Sequence, residues 1–348
     1  MTTRRVAAID CGTNSIRLLI ADLAAGPVPT ERPAGSRDPG RPGQENPRPA
    51  LADVTRQMRI VRLGEGVDRT GRLSAAALDR TMTALKEYAD LIAEAKPEAV
   101  RMVATSATRD AENAGEFTGR VIEILGVAPE VISGEEEAVL SFAGATRELA
   151  GTPLAAACLP PYLVTDIGGG STEFVLGGTD ADGRLPRGQL PRGRLQSRSV
   201  NIGCVRLTER HLHDDPPTGA QTRAAVTDID AALDQVASAV PEARARTLVG
   251  LAGSVTTVAA IALGLAEYDS ARIHHARIPA ARVHQIAAEL LGMTRADRAA
   301  IPVMHPGRAD VIGAGALILD RIMSRFDFTE VLVSEHDILD GIAWSLTA

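Results

Sequence analysis

Two stretches decide how this chain is read: VAAIDCGTNSIRLLI at Val6–Ile20 and YLVTDIGGGSTEFVL at Tyr162–Leu176. Each runs through an apolar strand, an Asp, a glycine-containing turn, a small hydroxyl residue and a second strand. Asp10 falls on Asp166, Gly12 on Gly168 and Ser15 on Ser171, a shared offset of 166 − 10 = 156 residues. Repetition of one strand–turn–strand unit predicts a duplicated α/β chain whose two turns face each other across a cleft. One Asp-Gly turn alone is usually a hairpin. Two copies, one carrying Gly168-Gly169-Gly170-Ser171-Thr172, point to an anion. The Asp sets a carboxylate at the sheet rim, and the glycines let backbone N–H groups come close without a Cβ in the way. Thr13, Ser15, Ser171 and Thr172 add hydroxyl donors.

Outward from these units, the pattern predicts strands near Thr55–Leu63, Val100–Ala104, Val131–Ile132, Thr247–Leu251 and Glu330–Val333. Ser74 caps a helix with Leu78, Met82, Leu85 and Ile92 on one face, ended at Pro97. Helices are expected at Ala111–Leu125, Glu135–Leu149, Val205–His213, Thr218–Ala239, Val283–Leu291 and Ala309–Ser324. At about 150 residues per domain, 348 residues suggest two domains. The halves read as 1–126 and 127–334, with the C-terminal helix 335–348 a candidate addition to the first. A Pro/Gly-rich insertion spans 26–49 and an Arg-rich one spans 177–198.

Composition excludes several functions. The net charge is −7, which argues against a nonspecific nucleic-acid binder. Lys86 and Lys96 are the only lysines, so there is no Walker-type Gly-Lys-Ser/Thr; a phosphate site must use Arg and backbone amides. Cys11, Cys158 and Cys204 form no CxxC pair, and Asp10 interrupts the N-terminal apolar run too early for a signal peptide. The uncharged stretch Thr247–Ala266 contains Gly250, Gly253, Ser254, Thr256 and Thr257 and reads as strand, turn and buried helix, not a membrane span. A cytoplasmic protein without a membrane partner is expected. The paired histidines His211/His213 and His274/His275 lack metal-site spacing.

Two further segments bear on chemistry. In ATSATRDAEN at Ala104–Asn113, Thr105 or Ser106 can cap a helix carrying Arg109, either as an anion site or as an ordinary cap. In VISGEEEAVLSF at Val131–Phe142, Glu135, Glu136 and Glu137 open a helix. They read either as solvated first-turn carboxylates or as a source of one cleft-facing base.

Taken together, DCGTNSIRLLIA, GEGVDRTGRLS (Gly64–Ser74), ATSATRDAEN, ISGEEEA, DIGGGSTE, NIGCVRLTE (Asn201–Glu209), GLAGSVTT (Gly250–Thr257) and HPGRADVIGAG (His305–Gly315) resemble the exopolyphosphatase/guanosine pentaphosphate phosphatase family, Ppx/GppA. The resemblance spans nearly the whole chain. It implies a duplicated actin-like fold (ASKHA, ribonuclease H-like) of two α/β domains with an interdomain cleft. It implies Mg²⁺-assisted hydrolysis of the terminal phosphoanhydride of inorganic polyphosphate, with short chains expected, or of the 5′ γ-phosphate of guanosine pentaphosphate. By the same resemblance Glu137 is the general base, with Glu136 second, and Asp166 and Glu173 form the acidic pair. Asp10, Asp166 and Glu173 are the expected metal residues. Gly12, Thr13, Asn14, Ser15, Arg17, Arg109, Gly168, Gly169, Gly170 and Ser171 are the expected phosphate-binding residues. SEHDILDGIAW at Ser334–Trp344 lacks the Gly-Leu-Arg element common in the family. Two readings stay open at Gly250–Thr257: a nucleotide site, as in superfamily relatives, or a plain strand–helix junction. A catalytically weak polyphosphate- or nucleotide-binding regulator is the alternative from another class. Family members are often homodimers, but no interface stripe is legible.

Overall fold

The computed structural model describes residues 3–24, 51–147, 149, 158–178, 195–241 and 244–346. The predicted insertion at 26–49, and 179–194 of the second one, lie outside the described residues.

Eleven strands are described: β1 (Thr3–Cys11), β2 (Ser15–Ala24), β3 (Leu51–Ile60), β4 (Ala99–Ala104), β5 (Glu130–Val131), β6 (Tyr162–Ile167), β7 (Thr172–Gly177), β8 (Gln196–Val200), β9 (Thr247–Leu251), β10 (Arg277–Pro279) and β11 (Glu330–Val333). The first sheet has the order β3-β2-β1-β4-β5 and the second β10-β11-β9-β6-β7-β8. In each, an antiparallel hairpin and its neighbour (β1, β2, β3; β6, β7, β8) continue into parallel strands (β4, β5; β9, β11). The repeat seen in sequence is thus a repeat of topology, and the fold is the duplicated actin-like one. Val6–Cys11 and all of β6 and β7 are buried, as expected of strands covered on both faces.

Separate apolar cores cover the sheets. On the first, Ser74 caps the helix Ala75–Ala95 by accepting from Ala77 N–H. Leu78, Met82, Leu85 and Tyr88 are its buried side, and the Tyr88 hydroxyl donates to the Ile16 carbonyl at 3.0 Å. The other face takes the last helix, Ile338–Ser345, whose Ile338, Leu339, Ile342 and Trp344 pack with Val6, Ala8 and Leu19.

That last helix crosses the helix Gly134–Thr146, which also packs on the second sheet through Ala138, Phe142 and Ala145. The crossing is backbone against backbone. A Cβ on Gly341 would lie 2.0 Å from the Leu140 carbonyl oxygen, and one on Gly144 would lie 1.8 Å from that of Asp337. Only glycine leaves room there.

Three expectations are corrected. β5 pairs with β4 in the first sheet, although residue 127 was read as the start of the second half; a two-residue strand carries almost no pattern. The Arg-rich insertion is shorter than 177–198, because Gly177 ends β7 and Gln196–Val200 forms the edge strand β8. Helix formation after β4 is a single turn, Ser106–Arg109, followed by Ala114–Leu125, and neither Thr105 nor Ser106 caps it with its side chain. Thr247–Ala266 divides into β9 and the helix Ala252–Ala262. Among the described residues, no helix is long and apolar enough to cross a membrane.

The backbone contact makes Gly341→Ala a test of the crossing. It should lower unfolding free energy by at least the roughly 1–3 kcal/mol typical of overpacking. Gly119→Ala, where a Cβ meets nothing within 4 Å, should not. Equal chemical-denaturation midpoints for the two variants would reject the assignment.

Candidate active site

The two hairpin turns close in the same way. Gly12 N–H donates to the Ser15 carbonyl at 2.9 Å, and Gly168 N–H to the Ser171 carbonyl at 3.0 Å. They also touch across the cleft. A Cβ on Gly170 would lie 2.7 Å from Thr13 Oγ1 and one on Gly169 2.9 Å from Thr13 Cβ, and the Thr13 hydroxyl is held within its own half by that of Ser106 at 2.8 Å. Behind the second turn, Cys204 N–H donates to Gly168 O at 3.0 Å and Val205 N–H to Gly169 O at 2.9 Å. Arg206 Nε donates to Gly170 O at 2.7 Å. In a trans peptide the N–H points opposite the C=O. Pinning three successive carbonyls therefore turns the N–H groups of Gly169, Gly170 and Ser171 away from the helix Cys204–His211, an arrangement suited to an anion.

Cross-strand partners repeat as well. Asp10 stands opposite Arg17, and Asp166 opposite Glu173. In the first pair, Arg17 Nε and Nη2 donate to Asp10 Oδ2 at 3.0 and 2.6 Å. Its Nη1 goes to Asp337, the N-cap of the last helix. Arg17 was expected to hold phosphate, yet each of its nitrogens already serves a carboxylate. In the second pair, Asp166 accepts from the Ser141 hydroxyl at 2.7 Å and Glu173 from that of Ser199 at 2.7 Å.

Of the glutamates opening the helix Gly134–Thr146, Glu137 faces inward and is buried. Arg109 Nη1 donates to its Oε2 at 3.2 Å and to the Ile132 carbonyl at 2.9 Å. Arg109, also expected on phosphate, therefore holds Glu137. Glu136 does not belong to the site: half exposed, it pairs with Arg101 at 3.1 Å, because consecutive helical positions point about 100° apart.

The cleft is lined by Asp10, Gly12–Ser15, Arg17, Thr105, Ser106, Glu137, Asp166–Gly169 and Ser171, and on its far side by Ala252–Ser254 and Arg308. Arg109, Gly170 and Glu173 stand behind this wall. Four contributors, Ser141, Asp337, Ser199 and Arg308, were not singled out from sequence. Ser141 was legible, lying four residues after Glu137 on the same helix face. Asp337 and Asp340 form a capping box, a readable spacing. Ser199 sits on the edge strand that was read as a loop. Arg308 lies in the quoted HPGRADVIGAG segment; its Nη1 reaches the Thr257 hydroxyl at 3.2 Å, and among the described residues no carboxylate pairs with it.

Burial dominates the electrostatics. It pushes Asp166 up to about 6, helped by Asp337, and Glu173 up to about 8, helped by Asp166. Burial, with Glu173 adding to it, also raises Glu137 well above the usual carboxylate range, against the pull of Arg109. Asp10 is raised by burial against the pull of Arg17. Among the described residues no three His, Cys, Asp or Glu converge as a metal-binding cluster. Among the described residues lining the cleft, two buried side-chain oxygens lack a partner, Asp10 Oδ1 and Asn14 Oδ1. Carboxylate and amide oxygens at the rim of an anion cleft fit Mg²⁺, which takes one or two protein oxygens and completes its shell with water and phosphate.

Fold and cleft define the class: a duplicated actin-like α/β protein with its site between the two halves. The chain belongs to the Ppx/GppA phosphatase family, whose pattern matches residues 44–347. It is 47% identical over 355 aligned positions to exopolyphosphatase 2 of Mycobacterium tuberculosis, covering 99% of both chains. It is similar to the crystal structure of an exopolyphosphatase-like protein, with TM-score 0.83 and 41% identity over 98% of both chains. A guanosine-5′-triphosphate,3′-diphosphate pyrophosphatase of Aeromonas salmonicida is 27% identical over 340 positions, covering 98% of this chain and 59% of that one.

The raised carboxylates link stability to pH. Glu173 and Asp166 bind their protons more tightly folded (about 8 and about 6) than at their ordinary values of 4.5 and 3.8. Their contribution to stability is therefore complete below about pH 4 and is lost as pH rises through about 6 and then 8. With divalent cations chelated, Glu173→Gln should lose less thermal stability than the parent between about pH 6 and 9. Parallel Tm–pH curves for the two proteins would contradict this account of Glu173.

Proposed function

We propose that this protein is an exopolyphosphatase, cleaving the terminal phosphoanhydride of inorganic polyphosphate by attack of water. The observation that carries this reading is Glu137: a buried carboxylate, held by Arg109, at the wall of a cleft where two glycine turns meet. The terminal phosphoryl group lies between the turns, its oxygens taken by the N–H groups of Gly169 and Ser171 and by the hydroxyls of Thr13 and Ser15. Arg308, the cleft cation without a carboxylate partner among the described residues, takes an oxyanion further along the chain. Glu137 accepts the proton of the attacking water, and its raised proton affinity suits a base working near neutral pH. Arg109 fixes the carboxylate that does so. Asp10 and Asp166 would hold Mg²⁺, with Glu173 behind Asp166, and the ion would supply the positive charge that a polyanion needs in so acidic a cleft. Phosphoryl transfer of this kind relies on positioning and charge stabilisation. The reading extends to a cytoplasmic enzyme.

The guanosine pentaphosphate reading is favoured by the Aeromonas relative, whose similarity is lower than that of the Mycobacterium exopolyphosphatase. Phosphate release with Mg²⁺, compared on short polyphosphate, long polyphosphate and guanosine pentaphosphate, decides between them. Release from none of them supports the regulator.

Glu137→Gln should cut kcat by about 10²–10⁴-fold with little change in thermal stability. Because Arg109 touches Glu137, Arg109→Ala should also fall mainly on kcat. If Glu137→Gln kept normal turnover, or Arg109→Ala raised only KM, these roles would be wrong.

A further inference from the structure

Of the segments quoted above, GEGVDRTGRLS has no part in the site as described, and NIGCVRLTE enters it only by backing the second turn. The structure clasps them together across the two halves. Arg206 Nη1 donates to Asp68 at 2.7 Å, and Arg210 donates to the same carboxylate at 2.6 and 2.8 Å. The Glu209 carboxylate accepts from Gly66 N–H at 3.1 and 3.2 Å. Arg206 Nη2 donates to Asp110, the residue after Arg109. Its remaining nitrogen, Nε, holds the Gly170 carbonyl of the second turn at 2.7 Å.

One guanidinium, only 10% exposed, thus has three acceptors in three directions. Two belong to the first half of the chain and one to the glycine turn of the second. The group is planar and rigid, so fixing both Nη positions also fixes where Nε points. Separation of the halves removes Asp68 and Asp110 and leaves Arg206 free to change rotamer. The Gly170 peptide then loses its anchor.

We propose that Arg206 is a positioning residue that holds the second glycine turn with its N–H groups toward the cleft only while Asp68 and Asp110 of the other half grip it. The inference rests on reading that turn as a phosphate site, and it makes substrate binding and approach of the two halves one event.

Hydrogen exchange of the ligand-free full chain tests it. The reporters are Gly168 and Cys204–Arg206, whose N–H groups are bonded within or onto the turn. Exchange there should quicken at least about tenfold in Arg206→Gln, in Arg206→Lys (which keeps the charge but cannot span three acceptors) and in the double variant Asp68→Asn/Asp110→Asn. Arg321→Gln, which breaks the remote pair with Asp230, should change nothing there. In phosphate release from polyphosphate, the clasp variants should raise KM at least about tenfold with kcat less affected. Adding Asp110→Asn to Arg206→Gln should bring no further rise. Unchanged exchange at the reporters overturns the proposal, as does quickening in the Arg206 variants but not in the Asp68/Asp110 double. If exchange behaves as expected while even the parent chain releases no phosphate, the positioning role stands and the exopolyphosphatase reading falls.

Discussion

Two helices touch backbone to backbone at Gly144 and Gly341, and the cleft depends on that contact. Glu137 and Ser141 lie on the first helix, about two turns and one turn before Gly144 respectively. The last helix begins at Asp337, four residues before Gly341. The crossing therefore delivers the inward glutamate, the hydroxyl that holds Asp166 and the carboxylate that holds Arg17 to one place. A side chain at either glycine would push apart the elements that carry them. The same helices are packed on opposite sheets, so the crossing also fixes how the two hairpin turns face each other.

Around this point the charges are arranged by what is already paired. Asp10, Glu137, Asp166, Glu173 and Asp337 crowd a space that water reaches poorly. Desolvation raises the proton affinity of the first four. Arg17 and Arg109 are spent on Asp10, Asp337 and Glu137, which orients those carboxylates and leaves little cationic capacity for a ligand. On the proposed function, a polyanion therefore draws on backbone amides, on Arg308 and on a cation brought in with it. The overall charge of −7 acts in the same sense.

Reading the chain without coordinates succeeded where a pattern is local. The hairpin units, the Ser74 cap and β9 are short-range patterns of apolar spacing and capping, and each appears in place. It is silent where partners decide. β8 reads Gln-Ser-Arg-Ser-Val, with no apolar face, and is a strand because β7 offers it an edge. Arg17 and Arg109 were expected on phosphate from the family resemblance, which says nothing of the carboxylates they meet in the fold. Their occupants, Asp10 with Asp337 and Glu137, come from opposite ends of the chain or from the next segment.

By itself the sequence determined the duplication, the family resemblance and the residue types able to handle phosphate, since these rest on spacing and on chemistry that a residue carries anywhere. The choice of Glu137 over Glu136 followed from the family motif, and the fold supplied its reason: helical geometry turns one toward the cleft and the other toward Arg101. Only tertiary structure decided which cations are already spent, which oxygens stay open, and that Arg206 links the second turn to the opposite half. These are matters of distance between residues far apart in the chain, set by how two glycines let two helices meet.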